Sequence, residues 1–577
     1  MNILAIYPYL TISSSALIVD GKIIAAAPEE RFDRKKNSTS FPEKSAKWCL
    51  RQGKLKWQNL DMIVVPWNPS INLKNASRRW LQDIRWRGEM LTNVPANIMN
   101  MIDDKSPKEF EMRWSGNVLK FLNHHECHAA FSFFQSPFKD ASIVTIDGRG
   151  EDETVTISEG KLNKIEKKRA IKFPHSIGLF YSTFTDFLGF KVNSDEWKVM
   201  SLASYSSKLN EYDKKISKLI SFNKDGFELD LSYFNFYLFD KQKYLFSEKF
   251  EKIFGSPRLS SEKIILKHKK IAGAMQRVFI KTCRHIFIIA KKNSKSKNLV
   301  FSGGSAMNSV LNGLIESFKF FKDSHISYAP DDSGVAIGAA LLAHSKYSKK
   351  SRKINEIKMN YFGPSFTSAE IKNFLDNSKI NYTKPIKLHS EVAAGIANGK
   401  FIGWFNGKME FGPRALGNRS ILADPRQGIN KKKLNYAVKF REGFRPFAPS
   451  VLKEYAKEIF EIPKTREVNF MERVYKIKKK WQKKIPAVTH VDGTGRLQTV
   501  SKNLNKDFYF LIKEFYKITK IPLILNTSFN LNNEPIVMTP ADALRSFYSS
   551  GLDWLVMGPF LIKKNKLKTL KIRIQKF

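Results

Sequence analysis

The chain has 577 residues, of which 42% are hydrophobic and 13% aromatic, as expected for a soluble globular protein with two or more domains. Lysine and arginine total 98 against 54 acidic residues, so the formal net charge is +44 and nucleic acid or an anionic membrane are candidate partners. Three scattered cysteines exclude a disulfide framework, and no apolar run approaches the ~18 residues of a membrane helix. We therefore expect a cytoplasmic protein that does not enter a membrane.

The N-terminal segment contains three short apolar runs, which are NILAIYPY, SALIVDG and KIIAAAPEERF. They predict strands, the last two joined by a turn at Asp20-Gly21. The segment ASIVTIDGRGEDETVTISEGKL repeats this pattern around a turn at Asp147-Gly148. Two such strand-turn-strand units predict the two halves of one duplicated domain, the arrangement of actin-like ATPases.

The rest of this domain alternates between helical and strand patterns. From about 206 to 270 the chain is rich in Phe, Tyr and Lys, which predicts helices with loops inserted into the second half. NLVFSGGSAMNSVLNGLIES predicts a strand, a Gly-Gly turn and a helix, and APDDSGVAIGAALLAH predicts a loop that enters a small-residue helix. The polar, basic segment 345–360 lacks bulky apolar residues, so we predict one domain over 1–350 and a second over 351–577.

The second domain is predicted to be α/β. Helices are expected around 369–377 and 391–398, and strands at FIGWFNG, IPLILNTSFN and DWLVMGPFLI.

An arginine-bearing stretch, FNGKMEFGPRALGNRSILADPR, lies inside this domain. Gly412-Pro413 and Gly417 predict a tight loop rather than a helix. Rigid guanidinium groups on such a loop suit bidentate binding of anionic oxygens. The three arginines are Arg414, Arg419 and Arg426. Local salt bridges are the less favoured alternative, because the nearby acids are only Glu410, Asp424 and Glu442.

A candidate metal site begins with NHHECHAAFSFF, which places His124 and His128 four residues apart. On a helix this spacing brings both imidazoles onto one face, as in helical two-histidine metal sites, whereas packed or surface histidines are the alternative. Asp147 at the end of a strand and Asp332 in the loop before GVAIGAA add two carboxylates. If the four residues converge, their donor atoms suit iron, manganese or zinc rather than calcium.

Two further motifs carry polar groups whose role the sequence leaves open. The backbone N–H groups of SGGSAMN either approach a phosphate or ribose or serve close packing only. DEWKVMSLASY supplies Glu196 and Lys198, which either contact substrate or form a surface ion pair.

Ordered motifs along both halves of the chain match one known family. The N-terminal motifs are HHECHAA, TIDGRGE, FPHSIGLFYSTFTDFLGF, EWKVMSLA, SGGSAMN and DDSGVAIGAA. The C-terminal motifs are EFGPRALGNRSILADPR, KFREGFRPFAPSV, HVDGTGRLQTV, NTSFNLNNEPIV and TPADAL. Together they resemble the NodU/CmcH-type O-carbamoyltransferases over nearly the whole chain. The resemblance implies an N-terminal domain similar to TsaD, of the actin-like ATPase class, and a C-terminal domain similar to YrdC.

The resemblance also implies a reaction and its residues. Carbamoyl phosphate would yield carbamate, which attacks the α-phosphate of Mg²⁺-bound ATP to form carbamoyl adenylate. The adenylate would then carbamoylate a hydroxyl of a sugar or secondary metabolite in the first domain. The residues implied for carbamoyl phosphate are Arg414, Lys439 and Arg445. Those implied for nucleotide are Asn526, Ser528 and Asn530, together with Gly303, Gly304 and Asn308. A divalent metal, iron with manganese or zinc as alternatives, is implied on His124, His128, Asp147 and Asp332.

Some positions depart from the family pattern. Thr11 and Ile12 stand where a His-Asp pair is usual, MSLASYS replaces MGLAPYG, and Asn533 stands where glycine is usual. A different acceptor or reduced transfer activity is therefore expected, and a nucleotide-binding regulatory protein without transfer activity is one alternative. A tRNA-directed carbamoyl or threonylcarbamoyl transferase is another, favoured by the net charge. Because the lysines are spread along the chain without one dense tract, we favour a small acceptor over nucleic acid.

Overall fold

The computed structural model describes residues 1–69, 93–98, 119–348, 357–463 and 466–564. Its N-terminal part contains two five-stranded sheets. The first, in spatial order, consists of β3 (Lys22–Pro28), β2 (Ser14–Val19), β1 (Asn2–Tyr7), β4 (Met62–Val65) and β5 (Leu119–Phe121). The second consists of β8 (Lys164–Lys172), β7 (Glu153–Lys161), β6 (Asp140–Ile146), β11 (Asn298–Ser302) and β12 (Asp323–Ile326).

Both sheets have the same topology. In each, three consecutive strands form an antiparallel meander, and two later strands extend the sheet in parallel from the first strand of that meander. The repeated strand order confirms the predicted duplication and the predicted actin-like class of fold.

Two helices, His124–Phe134 and Val335–Tyr347, pack against each other between the two sheets. The first helix packs on the second sheet, and the second helix packs on the first sheet. Small residues allow the helices to approach closely, since a Cβ on Gly338 would lie 2.0 Å from the carbonyl oxygen of Cys127. This packing brings the histidines of one helix to the loop that precedes the other.

The segment 206–270 contains the predicted helices and loops, and also a hairpin that sequence analysis missed. The hairpin is formed by β9 (Ile220–Asn223) and β10 (Gly226–Leu229). The Asn223 side chain accepts the backbone N–H groups of Asp225 (2.9 Å) and Gly226 (2.7 Å), which closes the turn. Further helices of the N-terminal part are Glu30–Asp33, Glu43–Gln52, Ile177–Phe187, Glu196–Ala203, Glu211–Ser217, Glu248–Phe254, Leu266–Lys292 and Ser309–Leu314.

The C-terminal part is built on one mixed eight-stranded sheet. In spatial order its strands are β16 (Arg473–Lys476), β17 (Thr494–Val500), β15 (Ala448–Leu452), β18 (Leu523–Ser528), β14 (Arg419–Ala423), β13 (Ile402–Phe405), β19 (Trp554–Met557) and β20 (Phe560–Lys563). Its helices are Ser368–Asn377, Leu388–Ala397, Ile429–Lys433, Ala456–Ile459, Lys479–Gln482, Lys506–Thr519 and Pro540–Tyr548. The predicted α/β class of this part is confirmed. None of the helices in the described ranges has both the length and the apolar character needed to cross a membrane.

Two local predictions need refinement. DWLVMGPFLI forms two antiparallel strands, because Gly558 adopts a positive φ of 54° and turns the chain. The tight loop predicted over the arginine-bearing stretch ends before Arg419, because Arg419 is the first residue of β14.

The two parts of the chain pack tightly together. Half of the predicted boundary segment 345–360, residues 349–356, lies outside the described residues, so the boundary at 350 stays a prediction. Phe362, Phe411 and Phe470 of the C-terminal part share a buried cluster with Tyr328 of the N-terminal part.

Arg473 also joins the two parts, and its removal should destabilise the fold. Its buried guanidinium donates to the carbonyl oxygens of Asn312 (2.8 Å) and Ser324 (3.1 Å). Substituting Arg473→Met would remove the side-chain donor to the carbonyl oxygen of Asn312 and leave Arg466 as the one arginine that donates to that of Ser324, so we expect the free energy of unfolding in urea to fall by about 2–5 kcal/mol. Arg284→Met, at an exposed arginine, should change it by less than about 0.5 kcal/mol. Equal stability of both variants would contradict this role for Arg473.

Candidate active site

Two histidines lie on one face of the helix His124–Phe134. The helix begins after Asn123, whose side-chain oxygen accepts the backbone N–H of Glu126 at 3.0 Å, a favoured N-cap. His124 and His128 are fully buried, and their Nε2 atoms lie 3.1 Å apart. Nδ1 of His124 lies 3.2 Å from the carbonyl oxygen of Pro66, so a proton on Nδ1 leaves the Nε2 lone pair free. The predicted placement of both imidazoles on one helix face is confirmed.

Asp147 meets these histidines from the end of β6. Its Oδ1 accepts the backbone N–H groups of Gly148 (2.8 Å) and Gly304 (3.1 Å). These bonds orient the carboxylate so that Oδ2 lies 3.2 Å from Nε2 of His124 and 3.1 Å from Nε2 of His128. Backbone groups that hold a carboxylate in this way are typical of the surroundings of a metal ligand.

Asp332 completes the group from the loop before the helix Val335–Tyr347. Its Oδ1 lies 3.2 Å from Nε2 of His128, while its Oδ2 accepts the hydroxyls of Tyr7 (2.7 Å) and Thr11 (2.5 Å). Thr11 and Ile12 occupy the positions where the family pattern has a His-Asp pair, and both line the cavity described below. In this chain Thr11 therefore orients a carboxylate and adds no ionisable group.

The four side chains fit a divalent metal. One donor atom from each of His124, His128, Asp147 and Asp332, here called the metal-ligand group, lies within 4.8 Å of the others. Burial alone would lower the pKa of His124, but the carboxylates of Asp332 and Asp147 raise it well above its ordinary value. Burial alone would raise the pKa of Asp147, but the two histidines hold it well below its ordinary value. Two imidazoles and two ionised carboxylates in a buried cluster suit iron, manganese or zinc.

The Gly-Gly turn packs closely against this group. Gly303 has a φ of 87°, and a Cβ there would lie 2.3 Å from the carbonyl oxygen of Ile146. Gly304 donates its N–H to Asp147, and the Asn308 side chain caps the following helix by accepting the N–H of Leu311 at 3.0 Å. Of the turn, Gly304 and Asn308 line the cavity. Close packing is thus one role of this turn, and nucleotide binding stays a prediction.

The arginine-bearing stretch presents one of its three arginines to the cavity. Arg414 lines it, and no hydrogen bond to its side chain is found within the described residues. Arg419 is fully buried and donates to the carbonyl oxygens of Asn406 (2.8 Å) and Pro364 (3.2 Å). The expectation of three anion-binding guanidiniums is therefore wrong for Arg419.

Arg426 does not fit that expectation either. It pairs with the buried carboxylate of Asp424 at 2.7 Å, a local salt bridge of the kind that sequence analysis disfavoured. Glu410 stabilises the backbone of the loop, because its Oε1 accepts the N–H groups of Leu416 (2.7 Å) and Asn418 (2.8 Å). Among the described residues, it forms no salt bridge with an arginine of this stretch.

Five cations of the C-terminal part line the cavity, and we call them the cationic cluster. They are Arg414, Lys439, Arg441, Arg445 and Arg496. Burial lowers the pKa of Arg414 to about 10, with Asp331 opposing this shift. Burial and the charges of Arg441 and Arg445 hold the pKa of Lys439 well below its ordinary value. Burial and repulsion between these cations therefore disfavour their charged forms.

Two members of the cationic cluster had no role predicted from the sequence. Burial, with the charges of Arg414 and Arg441, holds the pKa of Arg496 well below its ordinary value, so these three guanidiniums lie close together. The signal was present, because both Arg441 and Arg496 lie in basic strings that match the family, KFREGFRPFAPSV and HVDGTGRLQTV.

Lys439 of this cluster binds the end of β18 and the residues that follow it, a segment over 526–530 that we call the asparagine loop. Nζ of Lys439 donates to the carbonyl oxygens of Ser528 (2.7 Å) and Asn530 (2.9 Å) and to Oδ1 of Asn530 (2.7 Å). Nδ2 of Asn526 contacts the carbonyl oxygen of Ala415 at 3.2 Å, next to Arg414. Asn526, Ser528 and Asn530 all line the cavity, as expected for residues that contact a ligand.

The metal-ligand group and the cationic cluster lie along one cavity. Its volume is about 700 Å³, within the range of small-molecule sites. Asp147 and Asp332 line it together with the five cations of the cluster. The residue pair left open by the sequence is also placed: Glu196 lines the cavity, whereas Lys198 pairs with Asp195 (3.0 Å) and Glu442 (3.1 Å).

Comparison with known proteins identifies the family of this chain. The family model described as carbamoyltransferase N-terminus matches residues 2–341, and that described as carbamoyltransferase C-terminus matches residues 393–564. The chain belongs to the carbamoyltransferase family, which confirms the resemblance drawn from its motifs.

Relatives extend over most of the chain. An uncharacterised protein of Synechocystis is 35% identical and covers 98% of this chain and 97% of its own length. Nodulation protein NolNO of Sinorhizobium fredii is 34% identical, over 96% of this chain and 78% of that protein. Nodulation protein NolO of Bradyrhizobium diazoefficiens is 36% identical, over 77% of this chain and 79% of that protein.

Proposed function

We propose that this protein is an O-carbamoyltransferase that uses carbamoyl phosphate and ATP. Water cleaves carbamoyl phosphate to carbamate and phosphate, and carbamate displaces pyrophosphate from ATP to give carbamoyl adenylate. A hydroxyl of a sugar or secondary metabolite then attacks the carbamoyl carbon, and AMP leaves. Activation takes place in the domain over 351–577, and transfer takes place in the domain over 1–350.

The observation that carries this proposal is the cationic cluster. Burial lowers the pKa of Arg414, and burial together with repulsion from neighbouring cations lowers the pKa values of Lys439 and Arg496. A small dianion such as carbamoyl phosphate would supply negative charge and accept several charge-assisted hydrogen bonds. Arg414 is the foremost candidate, since its guanidinium has no hydrogen bond to the described protein.

The remaining lining residues support nucleotide binding and transfer. Ser528 and Asn530, fixed by Lys439, are proposed to hold ATP beside the dianion. Gly304 and Asn308 are proposed to hold the carbamoyl adenylate in the same cavity. A divalent metal on the metal-ligand group would act there as a Lewis acid on phosphate oxygens. The continuous cavity allows the adenylate to pass between the cationic cluster and the metal-ligand group without release.

Two measurements test this function. Purified protein should catalyse exchange of labelled pyrophosphate into ATP only when carbamoyl phosphate is present. With a panel of sugars and hydroxylated metabolites, mass spectrometry should detect the gain of one carbamoyl group on one compound class. Lack of exchange would refute the activation chemistry. Exchange with carbamoylation of tRNA alone would favour the tRNA-directed alternative, and exchange without any acceptor would favour the transfer-deficient one.

Two arginines of the same stretch should respond differently to substitution. Arg414→Ala should raise the KM for carbamoyl phosphate by roughly 10- to 150-fold, the effect of losing one charge-assisted hydrogen bond, without lowering the melting temperature. Arg419→Ala should lower the melting temperature, because it leaves buried carbonyl oxygens such as that of Asn406 unpaired. An unchanged KM in folded Arg414→Ala would remove Arg414 from the anion site.

A further inference from the structure

A helix of the N-terminal part reaches the cationic cluster of the C-terminal part. The helix Glu196–Ala203 presents Lys198 to Glu442, with Nζ 3.1 Å from Oε1. The neighbouring Trp197 presents its ring to Arg445, whose guanidinium carbon lies 4.0 Å from the ring centroid. Two consecutive residues of one part thus contact two residues of the other part that lie beside the proposed anion site.

These contacts fix the direction of the Arg445 side chain. Nη1 of Arg445 donates to Oε2 of Glu442 at 3.1 Å, while the guanidinium plane lies over the indole of Trp197. The indole is itself fixed, because its Nε1 donates to the carbonyl oxygen of Ser194 at 2.8 Å. Arg445 lines the cavity, and its Nη2 makes no hydrogen bond to the described protein, so that edge of the guanidinium is free to meet a ligand.

We propose that Trp197 and Lys198 are positioning residues for the activation half-reaction, because they hold Arg445 in the orientation that binds carbamoyl phosphate. This inference rests on the proposed function of the cationic cluster. It means that the anion site of the C-terminal domain is completed by a helix of the N-terminal domain.

The charge balance explains why Lys198 matters. Glu442 divides its carboxylate between two cations, with Oε1 facing Lys198 and Oε2 facing Arg445. Without Lys198, both oxygens become available to Arg445, and a bidentate pair would occupy the edge that faces the ligand. A carboxylate that is no longer shared would also compete more strongly with the incoming anion for the same guanidinium.

The geometry explains why Trp197 matters. An arginine side chain has several rotatable bonds, and stacking on a fixed aromatic face restricts them before the ligand arrives. The stacking interaction also favours the charged guanidinium inside a region where burial lowers its pKa. Loss of the ring should therefore weaken anion binding while leaving the chemistry of later steps intact.

The test uses the full-length protein and two pairs of variants. Trp197→Leu and Lys198→Gln should each raise the KM for carbamoyl phosphate in pyrophosphate exchange by about 2- to 30-fold, the range expected for a cation–π contact or a partly buried ion pair. The conservative variants Trp197→Phe and Lys198→Arg should stay within about threefold of wild type. The KM for ATP, the kcat and the melting temperature should change little in all four.

A matched control is available on the same part of the chain. Lys270 pairs with Glu211 at 3.0 Å away from the cationic cluster, so Lys270→Gln should leave the KM for carbamoyl phosphate unchanged. Affinity for inorganic phosphate, measured by titration calorimetry, gives a second readout that does not depend on exchange. It should fall in Trp197→Leu and Lys198→Gln by the same factor as the KM rises.

The outcomes separate this inference from the proposed function. If wild-type protein binds phosphate but catalyses no exchange, the proposed function is refuted. The phosphate affinities of the variants would then still test the role of Trp197 and Lys198. Unchanged KM and phosphate affinity in both variants would overturn the inference while exchange by the wild type stands. A fall in melting temperature with equal changes in every kinetic constant would show a structural role only, and wild-type protein that binds no phosphate would refute both.

Discussion

Replacement of His128 by alanine is expected to abolish carbamoyl transfer while pyrophosphate exchange stays within about twofold of wild type. Nε2 of His128 lies within 3.2 Å of donor atoms of His124, Asp147 and Asp332, so its loss removes a central member of the metal-ligand group. No hydrogen bond or ion pair joins His128 to the cationic cluster among the described residues. Asp331 interacts electrostatically with both His128 and Arg414, but the two sites share no hydrogen-bond partner among the described residues, so their effects should be nearly additive and activation should continue.

Three measurements check the His128 variant. Elemental analysis should find about one iron, manganese or zinc per wild-type chain and much less in His128→Ala. Exchange assays and mass spectrometry of the acceptor then report the two half-reactions separately. The control is His285→Ala, because His285 is a half-buried histidine outside the site, and this variant should retain both metal and transfer. Full metal content and normal transfer in His128→Ala would refute the assignment.

Much of the fold could be predicted because its signals are local. The apolar runs and turn residues of β1 to β3 and of β6 and β7 predict strands, and their recurrence predicts the duplication. The hairpin at Asn223 was missed although its Asp-Gly pair is a turn signal, because the surrounding composition favoured helices. The pairing of distant strands, such as β11 beside β6, depends on tertiary packing and cannot be predicted from the local sequence.

In the candidate site, too, some features could be predicted from local sequence signals and others could not. The metal-ligand group was predictable because its residue types are chemically specific and His124 and His128 have helical spacing. The sequence could not predict which arginine faces the cavity, because Arg414 and Arg419 lie in one basic stretch but differ in their surroundings. Arg419 begins a central strand, where carbonyl oxygens surround its guanidinium and no ligand is needed. Counting nearby acids cannot reveal such neutral acceptors.

Because the two parts of the chain pack together, the cavity is formed by residues of both. Residues of the N-terminal helix Glu196–Ala203 contact the C-terminal cationic cluster, and Arg34 donates to the carbonyl oxygens of Pro535 (3.0 Å) and Ile536 (2.8 Å). Residues of both parts line the cavity. Variants at the metal-ligand group and at the cationic cluster will show whether one half-reaction can be lost while the other persists.

Lys439 is the position in the cationic cluster where the largest loss of activation is expected. Its Nζ is held by Ser528 and Asn530, and burial with the nearby charges of Arg441 and Arg445 lowers its pKa. The negative charge of bound carbamoyl phosphate would stabilise the charged form of this amine. Lys439→Ala removes the amine and releases the asparagine loop, so pyrophosphate exchange should fall at least about 100-fold.

Metal content and transfer should survive the same substitution. Lys439 contacts no member of the metal-ligand group, so Lys439→Ala should bind metal normally and carbamoylate the acceptor when carbamoyl adenylate is supplied. Lys408→Ala, at an exposed lysine of the arginine-bearing stretch, is the control and should keep exchange. His128→Ala and Lys439→Ala then form a pair in which each variant loses one half-reaction and keeps the other. If both abolish exchange equally in folded protein, a single composite site carries out both steps, and the assignment of activation and transfer to separate sites is wrong.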